Sequence, residues 1–508
     1  MVASEGRLHM NLNEAMNYLS EWELRKSAYE MVLSICGYDQ LTGAPKQGND
    51  YRNQRLNIIN SAYYTIVTDE KIAEVLKVIL ESNDTDELTK KKAKLYAKDV
   101  LEMQKIPQDE YNAFNLASSQ SQQQWELSKE NNDYASYEPH LRKMIEYRLR
   151  FAHYINPCQD PYDYYLDVYE PGMDQKQYDE FFDLVQKELV PIIQKISAVN
   201  YRVDRSVLNH YVAVEKQEKL MELMKSYLHF DASWGLMGVS MHPFTNGLCH
   251  GDVRVTTAYD THDISSALFS IIHEIGHATY ERNMNPEFDG TILKYVSSGM
   301  HESQSRLFEN MLGRSDSFWA ENYTKLQEIA PEFNEVTFEQ FIRAINASIP
   351  SLIRTEADEL TYPIHILIRY EMEKALMHGQ FKDEPLNKVW NDYYRKYLGV
   401  EVDSDTHGIL QDVHWSDGSF GYFPTYALGS AVAAQIMHTM HQQIDVNVCL
   451  ANNQFDRIIN WLKDNIQYCG ATMNMNEILL KATGETFNPK YYIDYLTNKY
   501  SKLYRLDD

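Results

Sequence analysis

Apolar residues recur every three or four positions in the first part of the chain, as Leu12, Met16, Leu19 and Trp22 illustrate. This spacing predicts amphipathic helices, because it places apolar side chains on one face of a 3.6-residue turn. We therefore expect the first ~100 residues to form mostly paired helices. The polar stretch 118–132 has the composition of a linker, but its many Gln, Glu and Lys residues favour an exposed helix.

The stretch from about residue 230 to 260 breaks this helical pattern. Clustered glycines and the alternation of Val253, Val255 and Thr257 predict a small strand or hairpin near residues 238–258. We expect this β element to shape the wall of a cleft, because it directly precedes the helix that carries most candidate chemistry. With only 21 Gly and 15 Pro to interrupt helices elsewhere, the sequence predicts a nearly all-α fold.

Charge and cysteine content narrow the possible partners. The chain has 48 basic and 73 acidic residues, for a net charge of −25. This sign repels phosphate backbones and anionic lipids, so we expect no nucleic-acid and no membrane partner. The sequence shows no apolar run long enough to span a bilayer and no start resembling a signal peptide. Five scattered cysteines without metal-site spacing fit reduced thiols, so we expect a cytoplasmic protein.

The strongest chemical signal is an HExxH motif formed by His273, Glu274 and His277. Residues four apart on a helix differ by about 40° in direction and about 6 Å in rise, so both imidazoles can reach one ion. Asp263 is a suitable N-cap, and the apolar stripe within 264–275 supports a helix there. Such a motif also arises by chance, so two ordinary structural histidines are the alternative.

A third ligand must come from elsewhere, because a catalytic zinc uses three protein ligands and keeps one position open. Glu302 lies 25 residues beyond His277, in a segment that Ser297 or Ser298 can cap and Gly313 can end. The residues between are sufficient for a turn, so two antiparallel helices can meet at one ion. The sequence therefore predicts that His273, His277 and Glu302 bind a metal.

His301 immediately precedes Glu302 and so points about 100° away on the same helix. This direction favours a place on the wall of the substrate channel over metal ligation. A plain structural role is the alternative.

Six short motifs follow one another in a fixed order through the second half of the chain. They are His242-Pro243-Phe244, Asp252-Val253-Arg254-Val255-Thr256, His273 to His277, His301-Glu302-Ser303-Gln304, Ile353-Arg354 with Ala357-Asp358, and Gly421-Tyr422-Phe423-Pro424-Thr425-Tyr426. In these motifs the sequence resembles the M32 metallocarboxypeptidases, also called the thermostable carboxypeptidase Taq family. The likeness extends from about residue 106 to the end of the sequence.

The resemblance implies a helical zincin fold similar to the neurolysin-like and angiotensin-converting-enzyme-like peptidases, with a deep central groove. We accordingly expect one helical peptidase domain over residues 1–508, in which residues 1–100 cover the groove and residues 230–430 form the catalytic core. The resemblance also implies a homodimer and the removal of C-terminal residues from peptides with a free carboxylate. Zinc is the expected cofactor, with cobalt as a possible substitute.

The residues suggest how such an enzyme would work. Zinc bound by two imidazoles and a carboxylate lowers the pKa of its water to about 7. Glu274, next to a ligand, is the expected base that takes the proton and later delivers it to the leaving amine. Tyr422, Tyr426 and His414 are candidate donors to the oxyanion, although any one tyrosine can equally be part of the core.

Recognition of a free carboxylate requires guanidinium groups in a protein of such negative charge. Arg254 and Arg354 are the candidates, because a planar fork can hold a carboxylate with two hydrogen bonds. The alternative is that Arg254 pairs with Asp252, or Arg354 with Asp358, as a structural ion pair. His242 is expected to support the same pocket, or to be a satisfied buried histidine.

Two other functions remain open from the sequence. One is an oligopeptidase or dipeptidyl carboxypeptidase with the same zinc-binding helices and a different pocket for the peptide end. The other is a helical binding protein that keeps zinc without catalysis, an interpretation that the presence of Glu274 disfavours.

Overall fold

The computed structural model describes residues 10–199 and 203–506, and helices dominate this part of the chain. Residues 1–9, on which the expectation of no signal peptide partly rests, lie outside the described residues. The helices before the sheet are α1 (Leu12–Thr42), α2 (Asn49–Val67), α3 (Glu70–Glu81), α4 (Glu87–Lys105), α5 (Gln108–Asn131), α6 (Tyr134–Ile155), α7 (Pro161–Tyr169), α8 (Gln175–Ala198) and α9 (Val214–Tyr227).

The strands and the remaining helices follow. The strands are β1 (Gly235–Val239), β2 (Thr245–Cys249) and β3 (Asp252–Thr257). The later helices are α10 (Ile264–Asn283), α11 (Ser298–Arg306), α12 (Asp316–Ile329), α13 (Phe338–Ile345), α14 (Tyr362–Met377), α15 (Leu386–Leu398), α16 (Pro424–Gln443), α17 (Val446–Ala451), α18 (Phe455–Leu462), α19 (Met475–Thr483) and α20 (Lys490–Tyr504). The predicted nearly all-α fold is confirmed. The polar stretch 118–132 lies almost wholly in the helix α5 as predicted, but one face of it is buried, at Ser118, Ser121, Trp125 and Ser128, so this helix is only partly exposed.

The buried apolar side chains form two clusters. Helices α1 to α4 share the smaller one, where the rings of Trp22 and Tyr96 meet edge to face at 5.0 Å. The larger cluster extends over residues 106–504. The N-terminal helices also contact the β element, because Ser34 of α1 donates a hydrogen bond to Asn246 of β2 at 2.6 Å. That the whole chain is one domain stays a prediction.

The β element has three strands rather than the two of a simple hairpin. The strand order is β1-β3-β2, with β1 parallel and β2 antiparallel to the central β3. Val253 and Val255 of β3 are fully buried, as their alternation predicts. The pairing of β2 shifts register between Gly247 and Cys249, where the strand turns back into β3.

Helices α10 and α11 begin at the residues that the sequence indicates. The Asp263 side chain accepts the backbone N–H of Ser265, and Ser297 caps α11 in the same way. Beyond α11 the helix continues through one widened π turn over 307–312, and this helix ends at Gly313. The predicted helix pair is therefore present, and its second member gains an irregular turn.

Two glycines allow the helices around the site to approach each other closely. A Cβ on Gly276 of α10 would lie 2.7 Å from the carbonyl oxygen of Gln304 on α11. A Cβ on Gly429 of α16 would lie 2.7 Å from the side chain of Glu302. Any side chain at these positions would push α11 away from its neighbours.

A groove of about 780 Å³ opens beside α10 and α11 and reaches the segment 411–414. It corresponds to the predicted central groove. Among the described residues, no helix is both long enough and apolar enough to cross a bilayer.

Candidate metal centre

Two histidines of α10 and one glutamate of α11 bring their ligand atoms together. Nε2 of His273 and Nε2 of His277 lie 3.7 Å and 3.4 Å from Oε2 of Glu302. A tetrahedral zinc ion at about 2.1 Å from each ligand would hold the ligands about 3.4 Å apart, so these donors fit such an ion. In the part of the chain that the structure describes, no second group of three potential ligands comes within 4.8 Å in this way.

Glu302 presents one oxygen to the histidines because its other oxygen is engaged. Arg306 donates from Nε to Oε1 of Glu302 at 2.6 Å, and Ser305 donates to Oε2 at 3.1 Å. Burial opposes ionisation, but the charges of Arg306 and the imidazoles outweigh it and hold the pKa of Glu302 well below its usual range. The carboxylate is therefore ionised and oriented for single-oxygen ligation.

A second carboxylate, which the sequence analysis missed, lies behind His273. Nδ1 of His273 is 2.9 Å from Oε2 of Glu309, and Arg306 and Arg314 each lie 3.2 Å from Glu309. Burial would raise the pKa of Glu309, but Arg306 and the hydrogen bond with His273 lower it to about 2. An ionised Glu309 accepts the Nδ1 proton of His273 in a hydrogen bond, which leaves Nε2 free for a metal. Its position seven residues after Glu302 was the available signal.

His301 lies behind His277 and not on the groove wall, which differs from the expected place in the substrate channel. Its Nδ1 is 2.6 Å from Nδ1 of His277, and its Nε2 is 2.9 Å from Oε1 of Glu281. The rotation of about 100° from Glu302 turns the ring towards α10, since α10 packs against that side of α11.

Glu274 lies on the groove wall beside the three potential ligands. Thr245 of β2 donates from Oγ1 to Oε2 of Glu274 at 2.6 Å, which leaves Oε1 without this contact. Burial raises the pKa of Glu274. The β element therefore contributes directly to the cleft by orienting this carboxyl group.

Arg354 lies on the groove wall and shares a buried carboxylate with a second arginine. Arg354 donates to Oδ1 of Asp412 at 2.8 Å, and Nη2 of Arg369 is 2.6 Å from Oδ2. Two guanidinium groups and one carboxylate leave this cluster with a net charge of about +1. The partner considered from the sequence, Asp358, instead accepts backbone N–H groups of Ile349 and its own neighbours.

Arg254 lies outside this cluster. Its guanidinium donates two hydrogen bonds to Asp252, at 2.9 Å and 2.8 Å, and lies 5.5 Å from the ring centre of Tyr38 on α1. Arg254 is not among the side chains that line the groove. The structure thus shows for Arg254 the ion pair that the sequence analysis left as the alternative.

The remaining candidates surround the same end of the groove. His242, His414 and Tyr426 lie on its wall. Nε2 of His414 is 3.2 Å from the hydroxyl of Tyr426, and burial lowers the pKa of His414 to about 4, so this ring is neutral near pH 7. The Tyr422 ring stacks on His414 from behind and does not line the groove.

A helix that presents two histidines and a glutamate to a carboxylate of a second helix, within a groove, is typical of metal-dependent peptide hydrolases. Comparisons with known proteins agree. A family model described as carboxypeptidase Taq (M32) metallopeptidase matches residues 19–500. Carboxypeptidase 1 of Bacillus subtilis (strain 168) is 40% identical over 486 residues, which cover 95% of this chain and 97% of that protein.

Two further relatives are likewise similar over nearly the whole chain. Thermostable carboxypeptidase 1 of Thermus thermophilus is 32% identical over 499 residues, covering 94% of this chain and 97% of that protein. The crystal structure of an M32 carboxypeptidase from Deinococcus radiodurans R1 has a TM-score of 0.93 at 30% identity, covering 97% of this chain and 99% of that one. The chain therefore belongs to the carboxypeptidase Taq (M32) family of metallopeptidases. It is a peptide hydrolase, and its family implies a divalent metal ion.

Proposed function

We propose that this protein is a zinc-dependent carboxypeptidase that removes C-terminal residues from peptides. The observation that carries the proposal is the convergence of His273, His277 and Glu302 beside Glu274. Zinc at this position would supply an acidified water and a polarised substrate carbonyl. The names of the relatives, all carboxypeptidases, support the same reaction.

Glu274 is the proposed base and acid of the reaction. Thr245 holds Oε2, so Oε1 is the oxygen proposed to take a proton from the attacking water and then to deliver it to the nitrogen of the leaving residue.

Tyr426 is the proposed donor to the oxyanion of the tetrahedral intermediate. With the neutral His414 ring donating from Nε2 to the phenol oxygen, the phenol proton is free to point into the groove. Tyr422 supports this arrangement by packing against His414, so its expected effect is smaller.

Arg354 is the proposed recognition residue for the free carboxylate of the peptide. It lies on the groove wall, and the +1 charge of its cluster with Arg369 and Asp412 is not neutralised by another side chain within that cluster. His242 lines the same wall and is proposed to support binding. Arg254 stays a candidate of second rank, because it does not line the groove and its charge is balanced by Asp252.

The experiment that tests this function compares hydrolysis of one peptide with that of its C-terminally amidated twin. A carboxypeptidase cleaves the free acid much faster, because a buried guanidinium left without its anion costs about 2–5 kcal/mol. Equal rates would reject the carboxypeptidase and favour the oligopeptidase alternative. Reconstitution of the metal-free protein with zinc or cobalt tests the cofactor, and sedimentation tests the homodimer, which rests on the family resemblance alone.

A further inference from the structure

His277 contacts a second histidine on the side away from Glu302, whereas His273 contacts the carboxylate of Glu309. Nδ1 of His277 and Nδ1 of His301 are 2.6 Å apart. Metal-binding histidines usually donate this second N–H to a carboxylate, a carbonyl or water. Two imidazoles can each serve as donor or acceptor, so some further group must decide which of them carries the shared proton.

A chain of polar contacts continues beyond His301. Nε2 of His301 is 2.9 Å from Oε1 of Glu281, and Oε2 of Glu281 is 2.8 Å from Nζ of Lys294. Lys294 also donates to the carbonyl oxygen of Gly247 on β2 at 3.0 Å. A Cβ on Gly247 would lie 2.5 Å from the Glu281 carboxylate, so the strand backbone packs directly on this group. Glu281 is buried, the other members of this chain of contacts are only slightly exposed, and β2 holds its Lys294 end in place.

A hydrogen bond between two neutral imidazoles has two possible directions. If His277 donates from Nδ1, its Nε2 is unprotonated and can bind a metal, and the proton of His301 lies on Nε2 facing Glu281. If His301 donates, Nε2 of His277 is protonated and cannot bind, and Nε2 of His301 turns a lone pair towards Glu281. An ionised carboxylate only accepts hydrogen bonds, so it disfavours the second direction.

We propose that Glu281, paired with Lys294, is a positioning residue that selects the metal-binding tautomer of His277 through His301. The inference rests on the proposed function, because it takes His277 to be a ligand. Glu281 and Lys294 are not among the side chains that line the groove. Glu281 reaches His277 through His301, and Lys294 also contacts the backbone of β2 at Gly247.

The surroundings of Glu281 keep it in the accepting state. Burial opposes ionisation, but the hydrogen bond with His301 and the charge of Lys294 lower the pKa of Glu281 to about 2. The rings of Tyr280 and Tyr295 flank His301, with centroids at 5.2 Å and 6.1 Å, and so restrict its rotation.

Glu281→Gln should reverse the direction of the hydrogen bond between His277 and His301, although the substitution changes the side-chain volume very little. Lys294 is a donor only, so the Gln carbonyl oxygen would face Lys294 and the amide NH₂ would face His301. That NH₂ donates to Nε2 of His301, which selects the tautomer in which His277 cannot bind metal. Adding Lys294→Met removes the group that fixes the amide, so the amide can turn and restore the binding tautomer.

The test measures zinc affinity of metal-free protein by competition with a chelator, together with the visible spectrum of the cobalt-loaded protein. Glu281→Gln is expected to weaken zinc binding about 10–100-fold, in the range found for partners of metal-binding histidines. Glu281→Gln with Lys294→Met is expected to recover roughly tenfold of that loss. The matched control is Glu359→Gln, which neutralises another buried carboxylate. Glu359 is paired with Lys499 at 2.6 Å, and neither residue lines the groove.

The outcomes separate this inference from the proposed function. If the unaltered protein binds zinc tightly and Glu281→Gln binds it equally well, tautomer selection by Glu281 is wrong. It is also wrong if the double variant binds no better than Glu281→Gln. The double variant removes both charges together and so leaves no buried ion without a partner. It can therefore be measured even if Glu281→Gln alone is unstable. In that case the double variant is compared with Glu281→Met plus Lys294→Met, which offers His301 no acceptor. Tighter zinc binding by the double variant that carries Glu281→Gln supports the inference, and equal binding by the two overturns it. An unaltered protein that binds no divalent metal would contradict the proposed function itself.

Discussion

Arg306 donates from Nε to Oε1 of Glu302 at 2.6 Å, and its Nη1 lies 3.2 Å from the carboxylate of Glu309. One guanidinium thus orients both the potential ligand and the carboxylate behind His273. Its position over the Tyr362 ring, at 4.1 Å, holds it in the groove wall. The geometry of the candidate metal centre therefore depends on an arginine that touches none of the three potential ligand atoms.

Arg306→Met is expected to destabilise the metal-free protein, because it leaves two buried carboxylates short of a partner. The free energy of unfolding should fall by about 3 kcal/mol, and zinc affinity should fall with it. Denaturant unfolding and chelator competition measure the two effects. The control is Arg395→Met on α15, which breaks only ion pairs that are exposed to solvent. Unchanged unfolding of Arg306→Met would contradict the orienting role.

Arg354→Met is expected to impair only substrates that carry a free C-terminal carboxylate. KM for the free acid should rise at least about 30-fold, whereas the amidated twin should be unaffected. The fold should survive, because Asp412 keeps its ion pair with Arg369. Arg254→Met serves as the comparison and should leave the ratio between the two substrates unchanged. If Arg254→Met abolishes the preference and Arg354→Met does not, the two arginines exchange roles.

Acid should destabilise the protein partly through Asp412. Burial opposes ionisation, but Arg354 and Arg369 hold the pKa of Asp412 well below its usual range. The stabilisation is therefore complete above the unfolded-state pKa of about 3.9 and is lost as pH falls below it, because only the unfolded chain takes up the proton. The free energy of unfolding, plotted against pH, should therefore have a smaller slope in Asp412→Asn than in the unaltered protein. Between about pH 4 and pH 2.5 the difference in slope should be up to about 1.4 kcal/mol per pH unit. Parallel slopes would show that Asp412 is not ionised in the folded protein.

Much of the metal centre could be predicted from local spacing. The four-residue interval between His273 and His277, and the caps at Asp263 and Ser297, follow from the geometry of a single helix. Glu302 required only that a second helix return to the first. The structure brings these side chains together as the spacing indicates, because each placement involves one helix or one helix pair.

The surrounding groups depend on tertiary contacts and could not be predicted in the same way. Arg254 and Arg354 both stand in family-like motifs. The local pair of Arg254 with Asp252 could be anticipated from the sequence, whereas only the packing of segment 411–414 brings Asp412 to Arg354. The direction of His301 follows from helix geometry, but what lies in that direction depends on how α10 and α11 pack. The π turn that accompanies Glu309 has no signature in the sequence.

Glu274→Gln separates an enzyme from a protein that only binds metal. The amide cannot take the proton of the attacking water, so kcat should fall about 10²–10⁴-fold while zinc affinity stays within a few-fold. Turnover with a standard peptide and metal content by elemental analysis give the two readouts. Thr245→Val, which removes the hydroxyl on Oε2, should lower kcat by a smaller factor. Retained full activity in Glu274→Gln would rule out this residue as the base.

Anomalous diffraction at the zinc absorption edge, on crystals of the zinc-loaded protein, tests the central claim most directly. We expect one strong peak at about 2.0–2.2 Å from Nε2 of His273, Nε2 of His277 and Oε2 of Glu302, with one coordination position left to water. A peak elsewhere, or a peak that Glu302 does not contact, would contradict the proposed site.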